Sequence, residues 1–279
     1  MRDDPIELYR SGAISAPVAI SRLLLSGATA EQILVRTDPH GALAQLARAK
    51  KQDLSDLGAM LAQAGIQHDT AEPSVSAAIA KISEMFDQAV TVSPEASVAL
   101  YSLGDARLLD QATAELVGWL EREQLTGPDA DVLDLGCGIG RVAAALAPRC
   151  RGVIGIDVSA QMIATARKRY ADVPGLRFET TNGASIAFPD GSFDLVLAVD
   201  VFPYVVQAGE ALARWHVANA ARLLRPGGAL AIFNLSYRSD IPRDLADLHA
   251  WAQASALATP VATLPDFTIW DATAFVSRK

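Results

Sequence analysis

The apolar positions of the chain follow two regimes that meet near Gly127-Pro128. Upstream they recur at helical spacing. Leu43, Leu46, Leu54, Leu57, Leu61 and Ala64 would line one side of a helical stretch, with Gly65 as its stop. Ile79, Ile82, Met85 and Phe86 form a second apolar face after Ser74. Start signals accompany these stripes. Ser15-Ala16-Pro17 supplies a capping hydroxyl and an early proline, with Gly27 to close the helix, and Thr29 and Gln32 have capping-box spacing. Asp38-Pro39, Pro94 and Asp105 mark further starts, the last leading a long helix to the region of Glu123. Gln67 to Pro73 reads as a polar linker. The first regime is predicted to be helical throughout.

Beyond Gly127, short β-branched runs alternate with helical stretches. Val132–Leu135, Gly152–Ile156, Leu176–Thr180, Asp194–Val199 and Ala229–Phe233 read as strands, with Thr268–Trp270 and Ala274–Ser277 as further strand material. Helices fit between them at Arg141–Ala147, Ser159–Tyr170 and Glu210–Leu224. This alternation predicts a parallel sheet covered on both faces. The division expected is a helical N-terminal cap over residues 1–104 and an α/β domain over residues 105–279.

Composition narrows the classes of partner. With 51% hydrophobic and 20% charged residues, the chain has material for a sizeable core. Its formal net charge of −8 speaks against a nucleic-acid partner, since phosphate backbones are gripped by clustered Lys and Arg. The run Arg167-Lys168-Arg169 is the solvated end of a helix. Apolar stretches are interrupted well before the roughly 18 residues of a membrane span. An opening Met-Arg-Asp-Asp-Pro without an apolar export segment, and only two cysteines, Cys137 and Cys150, suggest a reducing cytoplasm and no disulfide.

The richest stretch is Val132-Leu-Asp-Leu-Gly-Cys-Gly-Ile-Gly-Arg141, running from strand through glycine turn into helix. Such a turn lets backbone approach a ligand and aims helix N–H groups at it. Dinucleotide sites use Gly-x-Gly-x-x-Gly, whereas here the glycines are 136, 138 and 140 and the sixth position is Arg141. Asp134, two residues before the first glycine, would repel a pyrophosphate but suit an ammonium group. Asp157 ends the next strand at the distance where a ribose diol meets a carboxylate. It could instead cap the following helix, although Ser159 is placed for that.

These segments resemble the successive motifs of the class I S-adenosylmethionine-dependent methyltransferases. Leu133-Asp-Leu-Gly-Cys-Gly-Ile-Gly140 is similar to the family's first motif, and Ile156-Asp-Val-Ser159 with Met162 to its ribose and adenine strand end. Phe188-Pro-Asp-Gly-Ser-Phe-Asp194 resembles the run into the fourth strand, and Leu223-Leu-Arg-Pro-Gly-Gly-Ala229 the turn into the fifth. The resemblance implies a doubly wound, mainly parallel seven-stranded sheet (Rossmann-like) and S-adenosylmethionine as cofactor. It implies cofactor contacts from Asp134, Gly136, Cys137, Gly138, Gly140, Asp157, Val158, Met162, Asn182, Gly183 and Ala184. Asn182 stands where the family commonly has an Asp; its amide oxygen still accepts a hydrogen bond, without charge assistance.

Asp200-Val-Phe-Pro-Tyr204 follows the fourth strand and loosely resembles an element of amino methyltransferases, so Asp200 and Tyr204 are the acceptor-side catalytic candidates. His216 reads as structural or solvated, and Cys137 as a space-filler. His40, His68 and His249 share no ligand spacing with the cysteines, so no metal is expected. Trp270-Asp271 either lines the acceptor pocket or packs the sheet. The activity implied is methyl transfer to an oxygen or nitrogen of a small molecule, with Met85, Phe86 and Tyr101 as candidate pocket walls. A non-catalytic cofactor-binding protein and a protein methyltransferase stay open.

Overall fold

A computed structural model describes residues 4–64 and 74–279. The expected stop at Gly65 and the linker from Gln67 to Pro73 lie outside these residues. The helices of the first regime are α1 (Pro5–Arg10), α2 (Ala16–Leu25), α3 (Ala30–Arg36), α4 (Ala42–Ala49), α5 (Lys51–Ala64), α6 (Val75–Val92), α7 (Pro94–Val98) and α8 (Ala106–Arg122). Most begin on the signals that the sequence offers. The Ser15 hydroxyl accepts from the Val18 amide, and Thr29 and Gln32 close a reciprocal capping box. Asp105 Oδ1 accepts from the Arg107 amide at the head of α8. Two expectations fail. Asp38 caps a turn through the His40 amide, and α4 starts only at Ala42. The leucine stripe from 43 to 61 is broken between α4 and α5 at Lys50, whose ammonium pairs with Asp53 and Asp105.

The chain gathers into two compact units. One comprises Met1–His68, Met85–Glu115 and Asp266–Asp271. It buries Ile20, Leu23, Ile33, Leu54 and Leu57. The segment Thr268–Trp270 lies here and is not a strand, contrary to expectation. Its polar groups bond to helices instead of to a ladder. The Glu115 carboxylate accepts from the Thr268 amide at 2.8 Å, and the Ser15 hydroxyl donates to the Ile269 carbonyl at 2.7 Å. Trp270 stacks on Tyr101 at 5.7 Å and on Phe267 at 5.9 Å, and Asp271 pairs with Arg22.

The other unit comprises Asp69–Glu84, Leu116–Pro265 and Ala272–Lys279. Its strands are β1 (Asp131–Leu135), β2 (Gly152–Asp157), β3 (Leu176–Thr180), β4 (Phe193–Val199), β5 (Leu224–Phe233), β6 (Val261–Thr263) and β7 (Ala274–Arg278). They form one sheet in the order β3-β2-β1-β4-β5-β7-β6. β1 to β5 pair in parallel, while β7 runs antiparallel to β5 and to β6. This is the doubly wound, mainly parallel arrangement expected. Its helices are α9 (Arg141–Leu146), α10 (Ala160–Arg169), α11 (Phe202–Ala208), α12 (Glu210–Leu223) and α13 (Ile241–Ala254).

α11 and α13 were not anticipated, although both carry an early proline and Asp240 caps α13 through the Arg243 amide. Phe202, Leu230, Ile232, Trp251 and Phe275 anchor the buried cluster around the sheet. Order reversal beside β1 creates the switch point where open α/β sheets bind ligands, outside the carboxyl ends of the strands.

Candidate functional site

At the carboxyl end of β1 the chain turns through Gly136, Gly138 and Gly140, with φ of 69°, 54° and 80°. Left-handed backbone at three positions so close together is why the turn needs glycine. Space adds a second reason. A Cβ on Gly136 would overlap Val201, and one on Gly140 would lie 2.5 Å from Phe178 Cζ. The amides of Gly136 and Cys137 both donate to the Ile156 carbonyl, at 2.7 and 3.0 Å, and that of Gly138 donates to Asp157 Oδ2 at 2.8 Å. These three N–H groups therefore tie the turn to β2.

Asp134 is 2% exposed in β1, between Gly155 on one neighbour and Leu197 on the other. The Ala143 amide bonds to its carboxylate, while Oδ2 has no partner among the described residues. Burial pushes the carboxyl up to about 7, the Arg141 charge opposes the shift, and the Asp157 charge adds to it. Asp157 is 8% exposed, and its Oδ1 accepts from the Ser159 amide at 2.8 Å. Ser159 itself caps α10 through the Met162 amide, with Met162 buried. Cys137 is packed against Gly155, and burial holds its thiol well above the usual range, so it fills space as an inert thiol.

Past β3, Asn182 Oδ1 accepts from the Ala184 amide at 3.0 Å and from the Ser185 hydroxyl at 2.9 Å. Gly183, at φ 72°, is buried between Val158 and Ile79. A cleft of about 360 Å³ opens here, lined by Ser76, Ile79 and Ser83 of α6, by Val158, and by Asn182 and Ala184. Its volume lies within the usual range for small-molecule sites, ~300–1,000 Å³. The Ser83 hydroxyl donates to the Val158 carbonyl at 3.0 Å. The face formed by Ser76, Ile79 and Ser83 escaped the sequence reading. Its signal was two serines flanking Ile79 at helical spacing, inside a stripe read as apolar. His216 Nε2 lies 3.0 Å from the Gly183 carbonyl, and burial lowers its ring to about 4.

Asp200 follows β4 in left-handed conformation, φ 56°, and Asn234 follows β5 in the same state, φ 61°. Asn234 Nδ2 donates to Asp200 Oδ1 at 2.8 Å, and its Oδ1 accepts from the Thr273 amide at 3.0 Å. Two strained residues joined at the ends of adjacent strands are a feature of functional sites. Tyr204 lies in α11, and its hydroxyl bonds to that of Tyr237. Burial first, and the Asp200 charge second, push the Tyr204 phenol up to about 12.

The comparisons with known proteins bear on the same α/β unit. Residues 133–232 match the family described as "Methyltransferase domain". This stretch of the α/β unit is thus similar to S-adenosylmethionine-dependent methyltransferases of class I. A demethylmenaquinone methyltransferase of Tropheryma whipplei is 30% identical over 158 residues, 57% of this chain and 60% of that protein. The 27-O-demethylrifamycin SV methyltransferase of Amycolatopsis mediterranei is 33% identical over 133 residues, 46% and 47% of the two chains. The match thus spans about half the length of these relatives.

In fold, the chain is similar to magnesium protoporphyrin IX methyltransferase of Synechocystis, with TM-score 0.55 and 17% identity over 72% of this chain and 97% of that one. Among the described residues no three His, Cys, Asp or Glu side chains gather as a metal site, and no helix is long and apolar enough to cross a membrane.

Proposed function

We propose that the protein transfers a methyl group from S-adenosylmethionine to an oxygen or nitrogen of a small molecule. The observation that carries this reading is a buried carboxylate with an unsatisfied oxygen, Asp134, that feels the charge of Asp157, the residue before Val158 in the wall of a mostly apolar cleft. S-adenosylmethionine joins a cationic amino-acid end to an apolar base through a ribose, and those three parts call for these three surroundings. When bound, it supplies a methyl group on sulphonium sulphur, open to in-line attack.

Asp134 provides negative charge for the cationic end, Asp157 accepts from the ribose hydroxyls, and Val158, Asn182, Gly183 and Ala184 hold the base with Ile79 and Ser83. Gly136, Gly138 and Gly140 shape the turn, and Cys137 and Met162 back it from the core. Of the two acceptor-side residues, Tyr204 stays protonated at neutral pH and serves as a donor. Asp200 is then the group that takes the acceptor's proton, its carboxylate oriented by Asn234. The helical residues 1–104 contribute acceptor choice, and the two free thiols suit a cytoplasmic protein.

Calorimetry with S-adenosylhomocysteine and with NAD tests the reading. Micromolar binding of the former and none of the latter is expected. Tight NAD binding, or no binding of either nucleoside, would overturn it.

A further inference from the structure

Ala184 lines the cleft, and the peptide group that joins it to the buried Gly183 is held at each of its two ends by a different side chain. Its N–H donates to Asn182 Oδ1 at 3.0 Å. Its carbonyl lies 3.0 Å from Nε2 of His216, which is 33 residues away on α12. A carbonyl can only accept, so Nε2 carries the proton and the ring is the Nε2–H tautomer. Nδ1 then holds a lone pair in the protein interior, where it has no partner among the described residues.

A core position with one unsatisfied nitrogen is an unfavourable place for a histidine. The ring is 4% exposed, with the edges of Trp215 and Phe202 around it at 4.9 and 6.4 Å. Neighbours on the helix, Leu212, Ala213 and Val217, are buried and apolar, so a leucine would suit that face better. What the histidine adds is the bond to Gly183. That glycine is itself left-handed and wedged between Val158 and Ile79, so its peptide plane is set by these contacts as well as by its two hydrogen bonds.

We infer that His216 is a positioning residue of the cofactor site: by donating Nε2–H to the Gly183 carbonyl it fixes the peptide plane against which the base of S-adenosylmethionine is held. The inference rests on the proposed cofactor and adds a residue that acts through the backbone. A free Gly183–Ala184 peptide could rotate, turning its carbonyl into the cleft and carrying the Ala184 amide off Asn182. Preorganisation of this kind raises affinity by removing an ordering cost at binding.

The test compares wild-type protein with His216→Gln, whose amide keeps an N–H donor, and His216→Leu, which fills the space without one. Binding of S-adenosylhomocysteine is measured by calorimetry, beside melting temperature and amide exchange at Ala184. Leucine should weaken binding roughly tenfold or more and speed Ala184 exchange, since the released peptide must be ordered again when the base binds. Glutamine should recover most of the affinity. Equal losses in both variants that simply track melting temperature would overturn the inference, as would wild-type affinity in the leucine variant.

Should the leucine variant fail to fold, ring ¹⁵N shifts of the wild-type protein decide. An Nδ1–H tautomer, or a ring that titrates between pH 5 and 8, refutes the bond to Gly183, and a neutral Nε2–H ring supports it. A wild-type protein that binds no S-adenosylhomocysteine refutes the proposed cofactor, while the tautomer and Ala184 exchange still report separately on the clamp.

Discussion

Replacing Asp134 by asparagine should stabilise the protein in alkaline solution while weakening its cofactor site. The carboxyl titrates near 7 in the fold against 3.8 as a free side chain, with burial as the main cause. A raised folded value means that the contribution to stability is complete below the unfolded value and is lost as pH rises through the folded one. At ~1.36 kcal/mol per pH unit, the ionised form is disfavoured by up to about 4 kcal/mol above pH 7. Asparagine cannot ionise. It can still accept from the Ala143 amide, but it places an NH₂ where Oδ2 has no partner, at a cost of about 1–2 kcal/mol.

Urea unfolding should therefore show the variant slightly less stable near pH 4.5 and more stable by about 2–3 kcal/mol at pH 8, the difference growing between those limits. Wild-type affinity for S-adenosylhomocysteine should rise with pH up to about 7, by no more than tenfold per unit, and that rise should vanish in the variant. A stability difference independent of pH, or one of opposite sign, would refute this account of Asp134.

Asp157→Ala should weaken S-adenosylhomocysteine binding by about 1.5–3 kcal/mol in calorimetry. It should also lower the melting temperature, because the Gly138 and Ser159 amides lose their acceptor. Gly140→Ala should cost about 2–4 kcal/mol in urea unfolding, since it adds left-handed strain at φ 80° to a contact 2.5 Å from Phe178. Ile79→Trp should fill the cleft from α6 and reduce S-adenosylhomocysteine affinity by at least roughly tenfold, ~1.4 kcal/mol, with the melting temperature little changed. Unchanged affinity there would remove α6 from the site.

What could be read from the sequence was local. The glycine turn, the strand ends at Asp134 and Asp157 and the caps at Ser15, Thr29, Ser159 and Asp105 each depend on residues a few positions apart, and the structure has them as expected. The misses have a different character. Thr268–Trp270 has strand-like composition, yet its backbone is captured by Glu115 and Ser15, residues more than 150 positions upstream. β6 is only three residues long and pairs with β7 alone. α11, which is not predicted from the sequence, begins within Asp200–Tyr204 after β4, because Pro203 is compatible with a first helical turn as well as with a bend. The same limit applies at the site. Asn234 on Asp200, His216 on Gly183 and α6 on Val158 are pairings across 34, 33 and 75 positions, and no spacing rule connects them.

The turn after β1 also bears on which kind of nucleotide its residues suit. A pyrophosphate carries negative charge and is held by amides pointing outward from a helix start. Here the amides of Gly136, Cys137 and Gly138 point to β2, and the group beneath them is a carboxylate. Arg141, a cation whose charge bears on that carboxylate, occupies the sixth motif position and is itself buried. A glycine at position 141 would remove that compensation and leave Asp134 still harder to ionise. The arginine thus moderates a carboxylate that burial would otherwise keep protonated, and lets it carry charge near neutral pH. That is the condition a cationic ligand end requires, and it is opposite in sign to what a dinucleotide needs.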